Sequence, residues 1–408
     1  MAREWDIVVF GATGFTGRQC AHYLSDKAPS ELKLAIAGRN EAGLKALAQE
    51  LGRPNVGVIL ADVTQPDTLI AMAKSTRVLA TTVGPYALYG SELLAACVAH
   101  QTHYCDITGE TPWVRDMIDA HHERALESRT RIVPLCGFDS IPADLGTWAL
   151  VQHAKQVFGE SPRRVKGWYR LRGGLNGGTL ASALNLNASG EVKRLARPFL
   201  LSPGYRASPE EMEESRDPRQ VLRDPHWGWC TPFFMGAVNT RAVRRSAFLL
   251  ADEAEGYGPG FTYQEYMGSG RGRSRWKASR DVALLGVLLG VMSTGWGRAI
   301  LRALGPKPGR GPSQKTIETG AFVLDLVAES PSGETIWGAV RGKGDPGNAV
   351  TVTCLAESAL CLALDEDTLD SKGGVLTPAA AFGEHLLERL AGTCLSIEVG
   401  VKAPGSSP

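Results

Sequence analysis

The 408-residue sequence has no CxxC pair among its eight cysteines, no surplus of charge of either sign, and no apolar run long enough to cross a bilayer. Scattered thiols without metal or disulfide spacing fit a reducing compartment. No secretory h-region precedes the first strand, so a cytoplasmic protein is expected. A formal net charge of +1 gives no electrostatic reason to expect a nucleic-acid partner. Local basic runs such as Arg271 to Arg280 read as solvated faces. The longest apolar stretch, Val282 to Met292, is shorter than the ~20 residues of a spanning helix. It reads as a buried helix, an oligomer interface or the wall of a greasy pocket, with shallow membrane attachment as the alternative. Cys97, His100, His103 and Cys105 lie close in sequence. Four ligands would have to converge tetrahedrally across a helix–strand turn, so no metal site is expected there.

What is present is an ordinary globular composition, 43% hydrophobic and 21% charged, over a length that allows two or three domains. Strand and helix alternate through the first third. Short β-branched runs at Asp6–Phe10, Leu34–Ala37, Val56–Leu60, Arg77–Thr82, His103–Asp106 and Arg131–Leu135 are separated by helical stretches. Leu44, Leu47, Ala48 and Leu51 show the helical spacing in one of them. Six such strands predict an α/β fold with a doubly wound, parallel Rossmann sheet. After a helix ending near Phe158 the alternation stops. Lys166–Arg172 and Thr179–Leu186 read as strand-like or mixed, and Pro198–Pro232 as long surface connections. Lys307–Pro312 reads as a loop, and Ala321–Ala328 with Thr335–Lys343 as a hairpin. A helix is expected from Asp345 to about Leu364 and another over Pro378–Leu390. The domain expectation is residues 1–145 for nucleotide binding, 146–372 for a mixed α+β substrate and dimerisation domain, and 373–408 for a helix returning to the first domain.

Between the first strand and helix stands GATGFTGR. Gly11 suits the tight turn, Gly14 lets a phosphate approach the backbone, and Gly17 permits close helix–strand packing. Exposed N–H groups at the helix start would meet a pyrophosphate. At the end of the second strand, Ala37-Gly38-Arg39-Asn40 offers an arginine where an NAD-binding chain would carry an acid, which selects NADP(H). Arg18 is a second positive candidate. Asp62 is placed to meet the adenine edge, or else to cap a turn. Thr82-Val83-Gly84-Pro85-Tyr86 ends the fourth strand beside the expected nicotinamide. Tyr86 and Tyr89 are the candidates for stacking and for proton donation, with loop packing as the alternative.

GATGFTGR, AGRN, TVGPYALYG, YCDITGE (Tyr104–Glu110), GFDSIP (Gly137–Pro142), GDPGN and GGVLTPAAAFG together resemble the saccharopine dehydrogenase-like oxidoreductases, within them the trans-acting enoyl reductases. The resemblance is dense in the N-terminal third and weak from about Val165 to Gln314. It implies a Rossmann domain, an inserted mixed-sheet domain and a C-terminal helix packed back on the first. Cofactor contacts carried over fall on Gly11, Ala12, Thr13, Gly14, Phe15, Thr16, Gly17, Arg39, Asp62, Val83, Gly84 and Pro85. The activity it implies is NADPH-dependent reduction of an activated C=C bond in an apolar acyl or polyketide-type substrate, free or carrier-bound. Val282–Met292 and the Trp227-Gly228-Trp229 cluster suit such a substrate. Reduction of an imine and non-catalytic NADPH binding are the alternatives. Arg170, Arg172 and Lys193 are the cations whose placement discriminates the imine reading. Asp106 and Asp139 lie in strand-end motifs, either as acids or as loop-ordering groups. A homodimer is expected.

Overall fold

A computed structural model describes residues 3–174, 177–268, 274–305, 311–369 and 371–401. Of the loop expected over Lys307–Pro312, residues 307–310 fall outside these.

Seven parallel strands form the first sheet. Their order is Gly374–Val375, Arg131–Val133, His103–Asp106, Thr76–Thr81, Trp5–Phe10, Leu34–Gly38 and Gly57–Leu60. The strand order reverses at Trp5–Phe10, and the glycine loop leaves its carboxyl end at that crevice, where open α/β sheets bind ligands. Ile7, Val8, Val9 and Phe10 are buried on both faces, which is why the run carries no polar alternation. Helix Glu41–Glu50 starts where the Asn40 side chain accepts the Gly43 N–H at 3.0 Å.

The second sheet, also of seven strands, is mixed. Its order is Leu395–Val401, Thr335–Lys343, Ala321–Glu329, Arg164–Arg172, Thr262–Met267, Gly228–Pro232 and Leu222–Asp224. Only the pairing of Thr262–Met267 with Arg164–Arg172 is parallel. Helix Ile141–Phe158 lies across this sheet and carries the chain between the two halves.

The return to the first domain, expected at Gly373, begins at residue 346. One π-helical turn, Pro346–Val350, leads into helix Thr351–Leu364, which packs on the first strand, on Thr76–Thr81 and on helix Phe15–Lys27. That helix is buried around its whole circumference up to Ala363, so its hydropathy, sufficient for a membrane span, belongs to a core helix. The tail is more than a helix, since Leu395–Val401 goes back to edge the second sheet. One core runs through both halves, joining Ile7 and Val9 to Tyr169, Phe322 and Leu324.

Three expectations are corrected. Residues 179–186 are helical within Gly177–Ala188, because Leu180 and Leu184 recur at four-residue spacing and Leu184 is buried. Trp227 does not face a substrate space. It stacks on Trp168 with centroids 5.9 Å apart and meets Trp337 edge-on, closing the second sheet's own small core. Val282–Met292 is not interior either. It lies in helix Arg275–Ser293, apolar on every side, so that whichever face packs leaves others in solvent.

Candidate functional site

The glycine loop is built by close approach. Gly11 has φ +84°, and a Cβ there would stand 2.7 Å from the Val83 Cγ2. A Cβ on Gly17 would lie 2.2 Å from the Gly11 carbonyl oxygen and 2.8 Å from the Thr82 Oγ1, so the loop, the helix start and the end of the fourth strand touch through bare backbone. Gly14 is the N-cap of helix Phe15–Lys27 with no side-chain cap, and the Arg18 N–H is the donor to its carbonyl at 2.9 Å. The N–H groups of Phe15, Thr16 and Gly17 therefore sit in the open first turn, aimed where an anion is held. Ala12 is buried beneath the loop and Thr13 stands exposed, its methyl 3.2 Å from a Cβ placed on Gly43. This cradle, which a side chain at Gly14 would fill, fits a pyrophosphate.

Arg39 is exposed at the end of the second strand, across the loop from Asp62. Asp62 accepts both the N–H and the hydroxyl of Thr64, at 2.9 and 2.8 Å; these bonds, with some help from Arg39, hold its carboxyl below the usual range. It orders the turn that faces Arg39. Arg18 is turned away, ion-paired with Glu50. Replacing Arg39 with alanine is expected to weaken NADPH binding by about 1.5–3 kcal/mol and to leave NADH nearly unchanged. Titration of tryptophan fluorescence with both cofactors checks this, and equal losses would remove Arg39 from the 2′-phosphate.

The fourth strand delivers Val83, Gly84 and Pro85, with a cis bond between the last two. Tyr86 is not a free proton donor. Its hydroxyl donates to the Thr81 carbonyl at 3.1 Å and accepts the Ile107 N–H at 3.4 Å, while its ring lies 5.6 Å from that of Trp113. It is a buried strut. Tyr89 is 42% exposed, on the outer side of the same short turn, Tyr86–Tyr89.

Glu110, which composition and spacing did not single out, binds this turn to the second domain. Its carboxylate accepts the N–H groups of Tyr86 and Ala87 at 2.9 and 3.0 Å, and the Ser182 hydroxyl at 2.8 Å. Asp106 orders loops as well, taking the Tyr104 hydroxyl and the N–H groups of Thr108 and Leu135 within 2.7–3.1 Å. Burial raises its carboxyl to about 7 against these bonds. Of the four residues Cys97, His100, His103 and Cys105, His103 takes the Arg131 N–H on Nδ1 and meets Glu366 through Nε2, and Cys97 and Cys105 are core thiols.

Asp139 differs from the other acids. No hydrogen bond reaches it from the described residues, and burial alone pushes its carboxyl up to about 6. It follows the sixth strand and would lie 4.0 Å from a Cβ on Gly109, beside Met235 and Val238. Tyr169 lies close enough for the Asp139 charge to bear on its phenol, and its buried hydroxyl lies beside the Asn239 side chain, outside regular hydrogen-bond geometry. Burial holds that phenol well above its ordinary value, so it stays protonated. Its ring stacks 4.2 Å from Phe233 and meets Phe138 edge-on at 6.2 Å. Behind it, Asn239 donates to both oxygens of Glu265 at 3.0 and 3.3 Å, and the Tyr263 hydroxyl adds 2.7 Å. The result is an acid near a phenol, with the rings of Phe138 and Phe233 packed on the phenol, near the carboxyl edge of the parallel sheet.

Burial raises Glu265 to about 8. The folded chain therefore holds this proton more tightly than the unfolded chain. That contribution is complete below the unfolded value near 4.5 and is lost as pH rises through about 8. Glu265→Gln is expected to flatten the fall of Tm between those pH values, measured by thermal scans, relative to the parent chain.

The cations of the second domain are engaged elsewhere. Arg170 pairs with Asp325 at 2.6 Å, Arg172 donates to the Thr319 carbonyl, and Lys193 sits on the exposed turn Val192–Leu195. Buried Arg241, Arg244 and Arg245 donate to main-chain carbonyls of Leu195, Arg197, Pro198, Leu201, Tyr263 and Val375.

A model of the saccharopine dehydrogenase NADP-binding domain matches residues 7–133. A Mycobacterium tuberculosis protein provisionally named a trans-acting enoyl reductase is 38% identical over 97% of each chain. A trans-acting enoyl reductase of Mycobacterium ulcerans is 37% identical, covering 95% of this chain and 96% of its own. Among solved structures, apo saccharopine dehydrogenase (L-Glu forming) of Saccharomyces cerevisiae superposes over 97% of this chain and 100% of its own, with a TM-score of 0.55 at 13% identity, a likeness of fold alone. The Rossmann half is thus an NADP-binding domain, the molecule is an NADP(H)-dependent oxidoreductase, and the chain belongs to the trans-acting enoyl reductases within the saccharopine dehydrogenase-like family.

Proposed function

We propose that this protein reduces an activated carbon–carbon double bond of an apolar acyl substrate at the expense of NADPH. One observation carries the choice of residues: Asp139, half-buried after the sixth strand and without a hydrogen bond from the described residues, lies near enough for its charge to bear on the buried phenol of Tyr169. The shared length and identity with proteins named as trans-acting enoyl reductases support the reaction.

NADPH, when bound, supplies a hydride. The N–H groups of Phe15, Thr16 and Gly17 would hold its pyrophosphate, Arg39 would take the 2′-phosphate, and Val83, Gly84 and Pro85 would line its nicotinamide end. Tyr169, protonated throughout the physiological range, donates a hydrogen bond to the carbonyl oxygen that gains charge as the enolate forms. Asp139 delivers its proton to the α-carbon. Phe138, Phe233 and Phe322 pack against the Tyr169 ring and keep bulk water from it. An imine adduct with two or more carboxylates would need free guanidinium or ammonium groups, and Arg170 is already paired with Asp325 and Arg172 bonded to the Thr319 carbonyl. That favours an apolar acyl group, as an ester or as a thioester on a carrier.

The test is NADPH consumption, followed at its absorbance, with a series of 2-enoyl thioesters of rising chain length against keto-acid and amine pairs. Turnover of the enoyl series with KM falling as the chain lengthens is expected. Turnover confined to the imine-forming pairs would overturn the reading.

A further inference from the structure

Helices Arg275–Ser293 and Gly295–Leu304 stand out from the second domain and meet at 104°. They rest on the strand Gly228–Pro232 and the helix Gly177–Ala188, with the Arg275 guanidinium 5.5 Å over the Trp229 ring at the near end. The bend is built. The Thr294 side chain accepts the Gly297 N–H at 3.1 Å, and Arg298 donates to the carbonyls of Met292 and Ser293 at 3.1 and 2.9 Å. A Cβ on Gly297 would lie 2.0 Å from the Val291 carbonyl oxygen, so the second helix can fold back this tightly only from glycine.

The pair leaves its apolar side chains bare. Leu284, Val287 and Leu289 are exposed by 51–65% on the first helix, and Trp296, Ile300 and Leu304 by 46–83% on the second. Soluble chains rarely leave such a patch uncovered. On the second helix, Trp296, Ile300 and Leu304 follow at four-residue spacing, while Arg298 and Arg302 take the opposite side. Charge completes the pattern. The two helices hold five lysines and arginines against one acid, Asp281, so a chain of net +1 carries +4 on this pair alone.

We infer that this bent helix pair docks the protein on an anionic lipid surface, its apolar side chains in the acyl boundary and its arginines at the headgroups. A helix with aromatic and aliphatic residues on one face and basic residues on the other lies in such an interface, and tryptophan favours that depth. A second copy of the chain is a poor occupant, because it would bring +4 against +4. The face also roofs a cavity of about 170 Å³ lined by Leu285, Leu289, Phe233, Phe234 and Glu265. Phe233 is the ring stacked on Tyr169, so an apolar acyl chain drawn from the lipid would arrive at the proposed site; that last step alone rests on the proposed reaction.

The test is flotation of the full-length, cofactor-free protein with phosphatidylcholine vesicles, with and without phosphatidylglycerol. Binding is expected only with the anionic lipid, weakening as salt is raised. Lys277→Gln with Arg302→Gln should weaken it about thirtyfold, each basic side chain near the surface contributing a factor of about five. Leu284→Asp with Val287→Asp, at exposed positions, should abolish it while the thermal transition stays in place. The inference is overturned if the parent chain does not float with anionic vesicles, if it floats equally with neutral ones, or if the aspartate pair floats like the parent. It is overturned too if light scattering shows a soluble dimer that this pair converts to a monomer. NADPH binding and turnover are not read in these assays, so their failure and that of the proposed reaction are told apart.

Discussion

Gly14→Val is expected to abolish NADPH binding in a chain that still folds. The reason lies in how differently the three loop glycines are used. Gly14 has φ −75° and ψ 167°, extended backbone open to any residue, and a Cβ there meets only the Gly11 carbonyl oxygen, at 3.1 Å. The fold therefore tolerates a side chain at Gly14, but that side chain stands over the N–H groups of the first helical turn. Losing two or three charge-assisted bonds of about 1.5–3 kcal/mol each lowers affinity by about two orders of magnitude or more. Gly17 tells the opposite story. Its Cβ would overlap the Gly11 carbonyl, so Gly17→Ala pushes the helix off the sheet and lowers Tm along with affinity. Calorimetric titration and a thermal scan on both variants separate the two effects. A Gly14→Val chain that keeps NADPH affinity would take the phosphate away from this loop.

Asp139→Asn is expected to lower kcat about 10²–10⁴-fold while leaving the NADPH dissociation constant unchanged. The amide keeps the size of the carboxyl and removes only its transferable proton. The parent enzyme should show the sign of that proton in its pH profile. Burial raises the Asp139 carboxyl to about 6, so the acid form persists to that pH and the rate falls above it. The alkaline fall is absent in the asparagine variant. Tyr169→Phe should lower kcat as well, by about 10²-fold for one lost donor to a developing oxyanion, with the limb near pH 6 retained. If Asp139→Asn turned over at the parent rate, the proton would have to come from elsewhere, and the exposed Tyr89 would be the next residue to replace.

The sequence makes the first sheet legible because strands buried on both faces must be continuously apolar and their crossovers must be helical. Val8-Val9-Phe10 and the Leu44–Leu47–Leu51 spacing each have one reading. The glycine loop was legible for the same reason, since backbone contacts of 2–3 Å admit no side chain. Legibility fails where the deciding partner is distant in sequence. Tyr86 reads as a loop tyrosine until Trp113 and the Thr81 carbonyl close around it. Asp106 and Asp139 occupy equivalent strand-end motifs, and only the tertiary structure gives three donors to one and, among the described residues, none to the other. Val282–Met292 shows the limit most plainly: an apolar run states that water is unfavourable, not what replaces it.

The helix Thr351–Leu364 also has a consequence for the order of events during synthesis. It supplies a layer of the first domain's core, yet it leaves the ribosome more than two hundred residues after Arg131–Val133 has completed the strands before it. Until then the nascent Rossmann half has one apolar face open, against which the packing of Ile7 and Val9 is unfinished. Loop closure over so long a span is slow, so the half-built domain is the species that a chaperone would meet. A fragment ending at residue 145 should accordingly aggregate rather than bind nucleotide, and adding the segment 346–390 in trans is the means to rescue it.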